Sequence, residues 1–529
     1  MMYRRCILAF SALIFLSACQ QSSIKPAQTI DKELEHDIYA GCNLTEQTLK
    51  AFPSTDYDDL WDRLRDGYSL QHPVNVRTKK HLNWYQKHPR YIERVTERGS
   101  KFLHYIVEGL DERNMPFELA LLPIVESAFD PFAYSHGRAS GIWQFIPATG
   151  RQYGLKQNWW YDGRRDAVAA TDAALDYLVY LHKRFDGDWL HALAAYNAGE
   201  GNVRKAIRRN KKAGKPTDFW SLKLPRETQA YVPQLLALAE LTQHPTAYNI
   251  SLNPIANQVY LTQVDIGSQI DLAQASDLAG ISTDKLYQLN AGFNRWATDP
   301  KGPHRLVLPI SQVEQFTQAL AALPSQSRTA WERYKVKEGD SLIGIAKHFN
   351  TNVAVIKDTN NIRSNMIRQG KTLLIPVASQ PAKHYAYSED QRVKRKQARS
   401  KGQDGSRKVS YKVKRGDSFW KIARTYGVKV SSLAKWNAMA PKDPLKEGQR
   451  LVIWSKDSKI ASARSKDKLK PVVRKVAYKV RNGDSLARIA GKFHLSVNDI
   501  VRWNQVKKNG YIHPGQSLTL FVDVTGSRY

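Results

Sequence analysis

Between Tyr91 and Leu241 apolar residues recur at three- and four-residue spacings, and no stretch of comparable quality alternates as a strand would. Tyr91-Ile-Glu-Arg-Val95, with Phe102, Leu103, Ile106 and Val107, predicts an amphipathic helix, and weaker helical patterning reaches back to about Tyr57. Asn114 before Met115-Pro116 opens another helix through Phe117, Leu119, Leu121 and Leu122, which Pro123 should kink or end. A third is capped at Thr171 or Asp172 and carries Ala174, Leu175, Leu178, Leu181 and Phe185 on one face. Trp189 to Tyr196 and Val232 to Leu241, the latter entered through Pro233, extend the helical region.

The pattern then changes to a repeat. Tyr334-Lys-Val-Lys-Glu-Gly-Asp-Ser-Leu342, Tyr411-Lys-Val-Lys-Arg-Gly-Asp-Ser-Phe419 and Tyr478-Lys-Val-Arg-Asn-Gly-Asp-Ser-Leu486 are near copies. Each continues through Ile-Ala at 345, 422 and 489 to Asn360, Asn437 and Asn504, and closes on a strand-like run from Leu373, Leu451 or Leu518. The unit reads strand, helix, helix, strand, with Asp and Ser after the glycine suited to a helix cap. Gly280 to Asn290 matches the spacing of Gly427 to Asn437 and Leu306-Val-Leu-Pro309 could close a fourth unit, but the Gly-Asp-Ser loop is missing. That piece is read as a degenerate repeat packed on the helical region.

The three complete repeats resemble the LysM module, a small βααβ fold that binds N-acetylglucosamine-containing glycans. The resemblance implies a shallow sugar groove between the Gly-Asp-Ser loop and the loop before the second strand. Residues 379–408 and 456–475, polar and rich in Lys and Arg, read as flexible, self-repelling spacers that would let three modest sites act together.

Composition adds the environment. The 529 residues are 42% hydrophobic, enough for several domains, and the formal net charge is +31, which suits an acidic partner. Met1-Met-Tyr-Arg-Arg5 and the apolar run Cys6 to Leu16 form a secretory signal too short to span a membrane comfortably. It ends in Leu16-Ser-Ala-Cys19, which resembles a bacterial lipobox and implies acylation of Cys19, with Gln20 after it implying an outer-membrane anchor facing the periplasm. The competing reading is plain signal cleavage. Of three cysteines only Cys42 would remain, so no intrachain disulfide is expected. Export argues against nucleic acid and for an envelope polymer.

The chemistry sits in four stretches: Glu126-Ser127 within Pro123-Ile-Val-Glu-Ser-Ala-Phe129, Gly141-Ile-Trp-Gln144, Ala195-Tyr-Asn-Ala-Gly199, and Tyr231 in Glu227-Thr-Gln-Ala-Tyr-Val232. A carboxyl group in apolar surroundings is a candidate general acid. In order and spacing the set is similar to that of family 1 lytic transglycosylases, which have a lysozyme-like helical fold; Ile142-Trp143 departs from the usual Leu-Met. The resemblance implies Glu126 as catalyst, with Ser127, Gln144, Tyr196, Asn197 and Tyr231 binding substrate or orienting the acid, no metal or cofactor, and peptidoglycan glycan strands as partner. Glu227 is either a second titrating group or a structural salt bridge, the latter being favoured.

The expected plan is multidomain: signal 1–18, tether and N-terminal helices 19–95, a mainly α lysozyme-like domain 96–245, a connector 250–315, and α+β modules 332–378, 409–455 and 476–523. A lysozyme-type hydrolase and a non-catalytic wall-binding lipoprotein remain as rivals. Zinc, P-loop and nucleophile-elbow motifs are missing from the sequence. Asp186-Gly-Asp188 is too short for a calcium loop.

Overall fold

The computed structural model describes residues 57–70, 74–456, 473–493, 495–506 and 511–523. The signal segment, Cys19, Cys42, the tether to Asp56 and nearly all of the second spacer lie outside the described residues.

Helices α1 (Leu60–Asp66), α2 (Val76–Gln86), α3 (Pro89–Asp111), α4 (Leu122–Ser127), α5 (Pro147–Gln152), α6 (Ala167–Arg184), α7 (Trp189–Ala198), α8 (Glu200–Lys212) and α9 (Arg226–Gln243) build the first part. Leu60, Trp61 and Leu64 of α1 share one buried cluster with Ile106, Leu119, Leu175 and Leu235. The boundary expected at 95/96 therefore falls inside α3, and the N-terminal helices share the core of the helical region.

Three helix limits differ from the sequence reading, each for a local reason. Pro123 does not end a helix; after a 3-10 turn at Phe117–Leu121 it takes the first turn of α4, where its missing N–H costs nothing. The start of α6 is Asp166, whose carboxylate accepts from the Val168 and Ala169 N–H groups, so Thr171 lies inside the helix. Pro233 lies inside α9, which begins seven residues before Pro233 and so carries Glu227 and Tyr231 on successive turns.

Four βααβ units follow. The first pairs β1 (Leu261–Asp265) with β2 (Arg305–Pro309) around α10 (Leu272–Leu278) and α11 (Thr283–Leu289), and is followed by α12 (Val313–Ala321). Next come β3 (Ala330–Lys335), α13 (Leu342–His348), α14 (Val353–Thr359) and β4 (Thr372–Val377). The last two units pair β5 (Arg407–Lys412) with β6 (Arg450–Ser455) and β7 (Val473–Lys479) with β8 (Ser517–Asp523). Register is shared: Tyr334 faces Leu373, Tyr411 faces Leu451 and Tyr478 faces Leu518.

What repeats in sequence is scaffold. Asn360, Asn437 and Asn504 each donate to a carbonyl of the second helix and of the second strand, and accept a strand N–H at 2.6–2.7 Å. The serines cap helices, accepting from Gly344, Lys421 and Arg488 N–H. The aspartates do not cap: Asp340, Asp417 and Asp484 accept from the Tyr334, Tyr411 and Tyr478 hydroxyls at 2.6–2.8 Å and from a loop N–H. In the first unit Asn290 keeps its bonds to Leu286, Val307 and the Val307 N–H, without the Tyr–Asp pair. Its core includes Trp160 and Tyr161 of the helical region.

Residues 379–400 are not a free spacer. Tyr385 is buried and its hydroxyl donates to the buried Asp271 carboxylate at 2.8 and 2.9 Å, while Ser379 N–H reaches the same group at 3.0 Å. After a 3-10 turn at Ala382–Tyr385 comes α15 (Glu389–Arg399), the strap helix. Its Glu389 and Asp390 pair with the buried Arg295 at 2.8 and 2.9 Å. Like-charge repulsion is outweighed because the anchors are Tyr385 and an acidic pair at the N-terminal end, not the basic run that follows.

Tyr385→Phe, which keeps the ring and deletes the hydroxyl, should cost about 1–3 kcal/mol by leaving the Asp271 carboxylate short of a donor. Chemical denaturation measures the loss, and faster tryptic cleavage between Arg392 and Arg399 should accompany it.

Candidate active site

Glu126 sits one residue from the C-terminal end of α4, a short helix held by buried Leu122, Pro123 and Ile124. The chain then turns through two consecutive non-glycine residues in the left-handed region, Ala128 at φ 53° and Phe129 at φ 52°. Such backbone costs about 1–2 kcal/mol per residue. Burial of the Phe129 ring against Gly99 of α3, where a Cβ would come within 2.7 Å of the ring, offsets it.

The Gly141-Ile-Trp-Gln144 stretch is fastened to this helix end. Ser127 Oγ donates to the Ile142 carbonyl at 3.0 Å and so ties the backbone next to Glu126 to this stretch, with no bond to the carboxylate among the described residues. Gly141 is at φ 83° and its Cα lies so close to the Arg164 carbonyl that a Cβ would stand 1.8 Å from that oxygen; only glycine fits. Gln144, itself at φ 49°, donates from Nε2 to the Gly141 carbonyl at 2.7 Å, with no bond to its Oε1 among the described residues. Trp143 is fully buried, and its indole N–H donates to Thr171 Oγ1 at 2.9 Å.

Two tyrosines and an asparagine close the other side. Tyr231 of α9 donates its hydroxyl to Glu126 Oε1. Tyr196 of α7 donates to the Trp143 carbonyl at 2.9 Å, and Asn197 Oδ1 accepts from Thr228 Oγ1 at 2.7 Å, leaving its amide N–H groups without a partner among the described residues. The structure thus brings Glu126, Ser127, Gln144, Tyr196 and Tyr231 into one linked set, with Asn197 beside it on α7. Thr171, Thr228 and Arg164 were missed because a single Thr or Arg has no motif; only the partner across the fold gives it a role.

Electrostatics follow from this packing. Burial pushes the Glu126 carboxyl up to about 8 from an ordinary 4.5; the Tyr231 hydrogen bond pulls it down and the Glu227 charge adds to the rise. Burial, and then the Glu126 charge, hold the Tyr196 and Tyr231 phenols well above their ordinary value, so both remain donors. Glu227 is exposed and makes no salt bridge among the described residues, which corrects the favoured reading. Asp130 is a turn residue, accepting from the Phe132 N–H at 2.9 Å. Asp188 caps α7 through the His191 N–H at 2.9 Å. No group of three or more His, Cys, Asp or Glu among the described residues could hold a metal ion.

A transglycosylase SLT domain model matches residues 105–219, a lytic transglycosylase MltD LysM-like domain model matches 260–325, and LysM domain models match 334–376, 411–454 and 478–521. The chain is 37% identical over 414 residues to membrane-bound lytic murein transglycosylase D of Escherichia coli K12, covering 76% of this chain and 86% of that one. A putative tributyltin chloride resistance protein of Alteromonas is 47% identical over 136 residues, 25% of this chain and 66% of its own. Among solved structures, the 70 kDa soluble lytic transglycosylase Slt70 of Escherichia coli aligns over 25% of this chain and 22% of its own at 24% identity, with a TM-score of 0.22.

A carboxyl raised to about 8 favours the folded state while protonated, so that stability is full below the ordinary 4.5 and is lost as pH rises through about 8. Glu126→Gln lacks this dependence. Its Tm should gain on that of the unaltered chain as pH goes from about 5 to about 8.5, and a constant difference would contradict the shift.

Proposed function

The chain belongs to the family of membrane-bound lytic murein transglycosylase D and is a peptidoglycan lytic transglycosylase with glycan-binding LysM modules; on that premise we propose that Glu126 alone supplies the proton chemistry, first as acid and then as base. The observation that carries this is a single carboxyl, raised to about 8 by burial and hydrogen-bonded to Tyr231, at the meeting point of the four motif stretches. At neutral pH Glu126 holds the proton that the leaving glycosidic oxygen needs.

The bond from the muramyl C1 to the N-acetylglucosamine oxygen breaks as that oxygen takes the Glu126 proton. The muramyl N-acetyl oxygen steadies the developing cation. The muramyl C6 hydroxyl then bonds to C1 and gives its proton to the Glu126 carboxylate, restoring the acid. No water enters, and the product carries a 1,6-anhydro ring. Tyr231 favours the carboxylate between the two steps by donating to it. The free Asn197 amide and the free Gln144 Oε1 suit acetamido or hydroxyl groups of the substrate, and Tyr196 lines the muramyl position. Ser127 contributes through the backbone it fixes.

A hydrolase reading has one observation in its favour: Glu227 lies one turn before Tyr231 on α9 and its charge is felt at Glu126. In that reading Glu227 would activate water from the opposite side.

At the cell level we place the enzyme in the envelope, with Cys19 acylated and the anchor in the outer membrane; Leu16-Ser-Ala-Cys19 followed by Gln20 supports this. Among the described residues no helix is long and apolar enough to cross a membrane. Cys19→Ala should move the protein from the membrane to the soluble fraction and abolish fatty-acid labelling.

Glu126→Gln should lower glycan cleavage by at least about 100- to 10,000-fold while sedimentation with insoluble peptidoglycan persists. Mass spectrometry of wild-type products should show anhydro ends, one water lighter than reducing ends. Reducing ends that vanish in Glu227→Gln would establish the hydrolase instead.

A further inference from the structure

The loop between Phe129 and Gly141 touches the second LysM module. Asp443, in the loop before β6, accepts from the Tyr134 hydroxyl at 2.8 Å and pairs with Arg138 Nε at 2.8 Å. Its side chain is 12% exposed against 39% for that of Arg138, so the acid is the enclosed partner. Neither sister module offers this charge: six residues after their asparagines stand Met366 and Gly510.

The strap helix makes the placement firm. At its start Arg392 lies over the Phe132 ring, 4.8 Å from the centroid, and Tyr387 stacks on the same ring at 5.2 Å. At its end Gln397 donates to Asn437 Oδ1 at 2.9 Å and to the Arg450 carbonyl at 3.0 Å, and the Trp454 indole N–H donates to Ser400 at 3.0 Å. One helix thus grips the loop on one side and the second module on the other.

From Asp443 the contact leads to the substrate-facing segment through short-range bonds. Tyr134 bridges Ser140, and Ser140 bridges Phe145, the neighbour of Gln144. The Arg138 carbonyl accepts from Arg164 Nη1 at 2.6 Å, and the same nitrogen donates to the Phe145 carbonyl at 3.1 Å. We propose that Asp443 is a positioning residue for the transglycosylase reaction: from the second LysM module it holds Tyr134 and Arg138, and through them sets the Gly141–Gln144 segment that faces Glu126. The second module is then part of the catalytic unit, beyond any role in holding glycan.

This rests on the transglycosylase reading, and the test separates the two. The full chain is assayed on a soluble peptidoglycan tetrasaccharide, with binding to insoluble peptidoglycan measured alongside. Asp443→Asn keeps an oxygen for the Ala440 N–H, which Asp443 accepts at 2.8 Å, and so spares the module's own loop. Arg138→Ala attacks the contact from the catalytic side. Each should lower kcat on the tetrasaccharide by roughly tenfold or more, with KM and wall binding nearly unchanged. The double variant should be little worse than either single one, and Asp443→Glu should recover part of the rate. Unchanged kcat in both single variants overturns the proposal, as does a loss that appears only on insoluble wall. If the unaltered chain releases no anhydro ends from either substrate, the transglycosylase reading itself falls.

Discussion

A carboxyl group drawn largely out of water, yet still answered by one phenol, is the constraint on which this structure depends. In the proposed mechanism a fully solvated Glu126 would be ionised at neutral pH and could not act as the acid, and one buried with no partner could not form its carboxylate between the two proton transfers. The Tyr231 hydroxyl resolves the conflict, stabilising the charged form without abolishing the effect of burial. Much of the helical core serves to bring α4 and α9 to that bond.

The neighbouring backbone is correspondingly tight. Ala128, Phe129, Gly141 and Gln144 all have positive φ, and three of the four are not glycine. Strain of this kind persists only where surrounding contacts over-determine it. Here they do: Phe129 is buried on Gly99, Ser127 ties to Ile142, Tyr196 ties to Trp143, and Trp143 ties to Thr171. Ser127, Gln144 and Tyr196 therefore spend hydrogen bonds on the main chain, while the Asn197 amide and Gln144 Oε1 keep no partner among the described residues.

The modules show the same economy differently. Their repeated Tyr, Asp, Ser and Asn residues hold loops, caps and strands in place. Differences between modules decide how each is used: the first unit lacks the Tyr–Asp pair and packs on the helical region through Trp160 and Tyr161, and the second presents Asp443 to the loop between Phe129 and Gly141.

The sequence by itself determined the helical class, the repeats and the catalytic candidates, because those signals are local: apolar spacing, near-identical nine-residue runs, and four motifs in order. It misplaced the limits of α4, α6 and α9, since a proline can open a helix or sit inside one, and the cap of α6 is Asp166 while Thr171 lies inside the helix. Only the tertiary structure decided that α1 to α3 share the core of the helical region, that Glu227 has no cationic partner among the described residues, and that residues 379–400 are anchored. Those outcomes hang on partners distant in the chain, such as Asp271 for Tyr385 and Arg295 for Glu389 and Asp390. A charge-rich segment looks like a tether until the residues that receive it are in place.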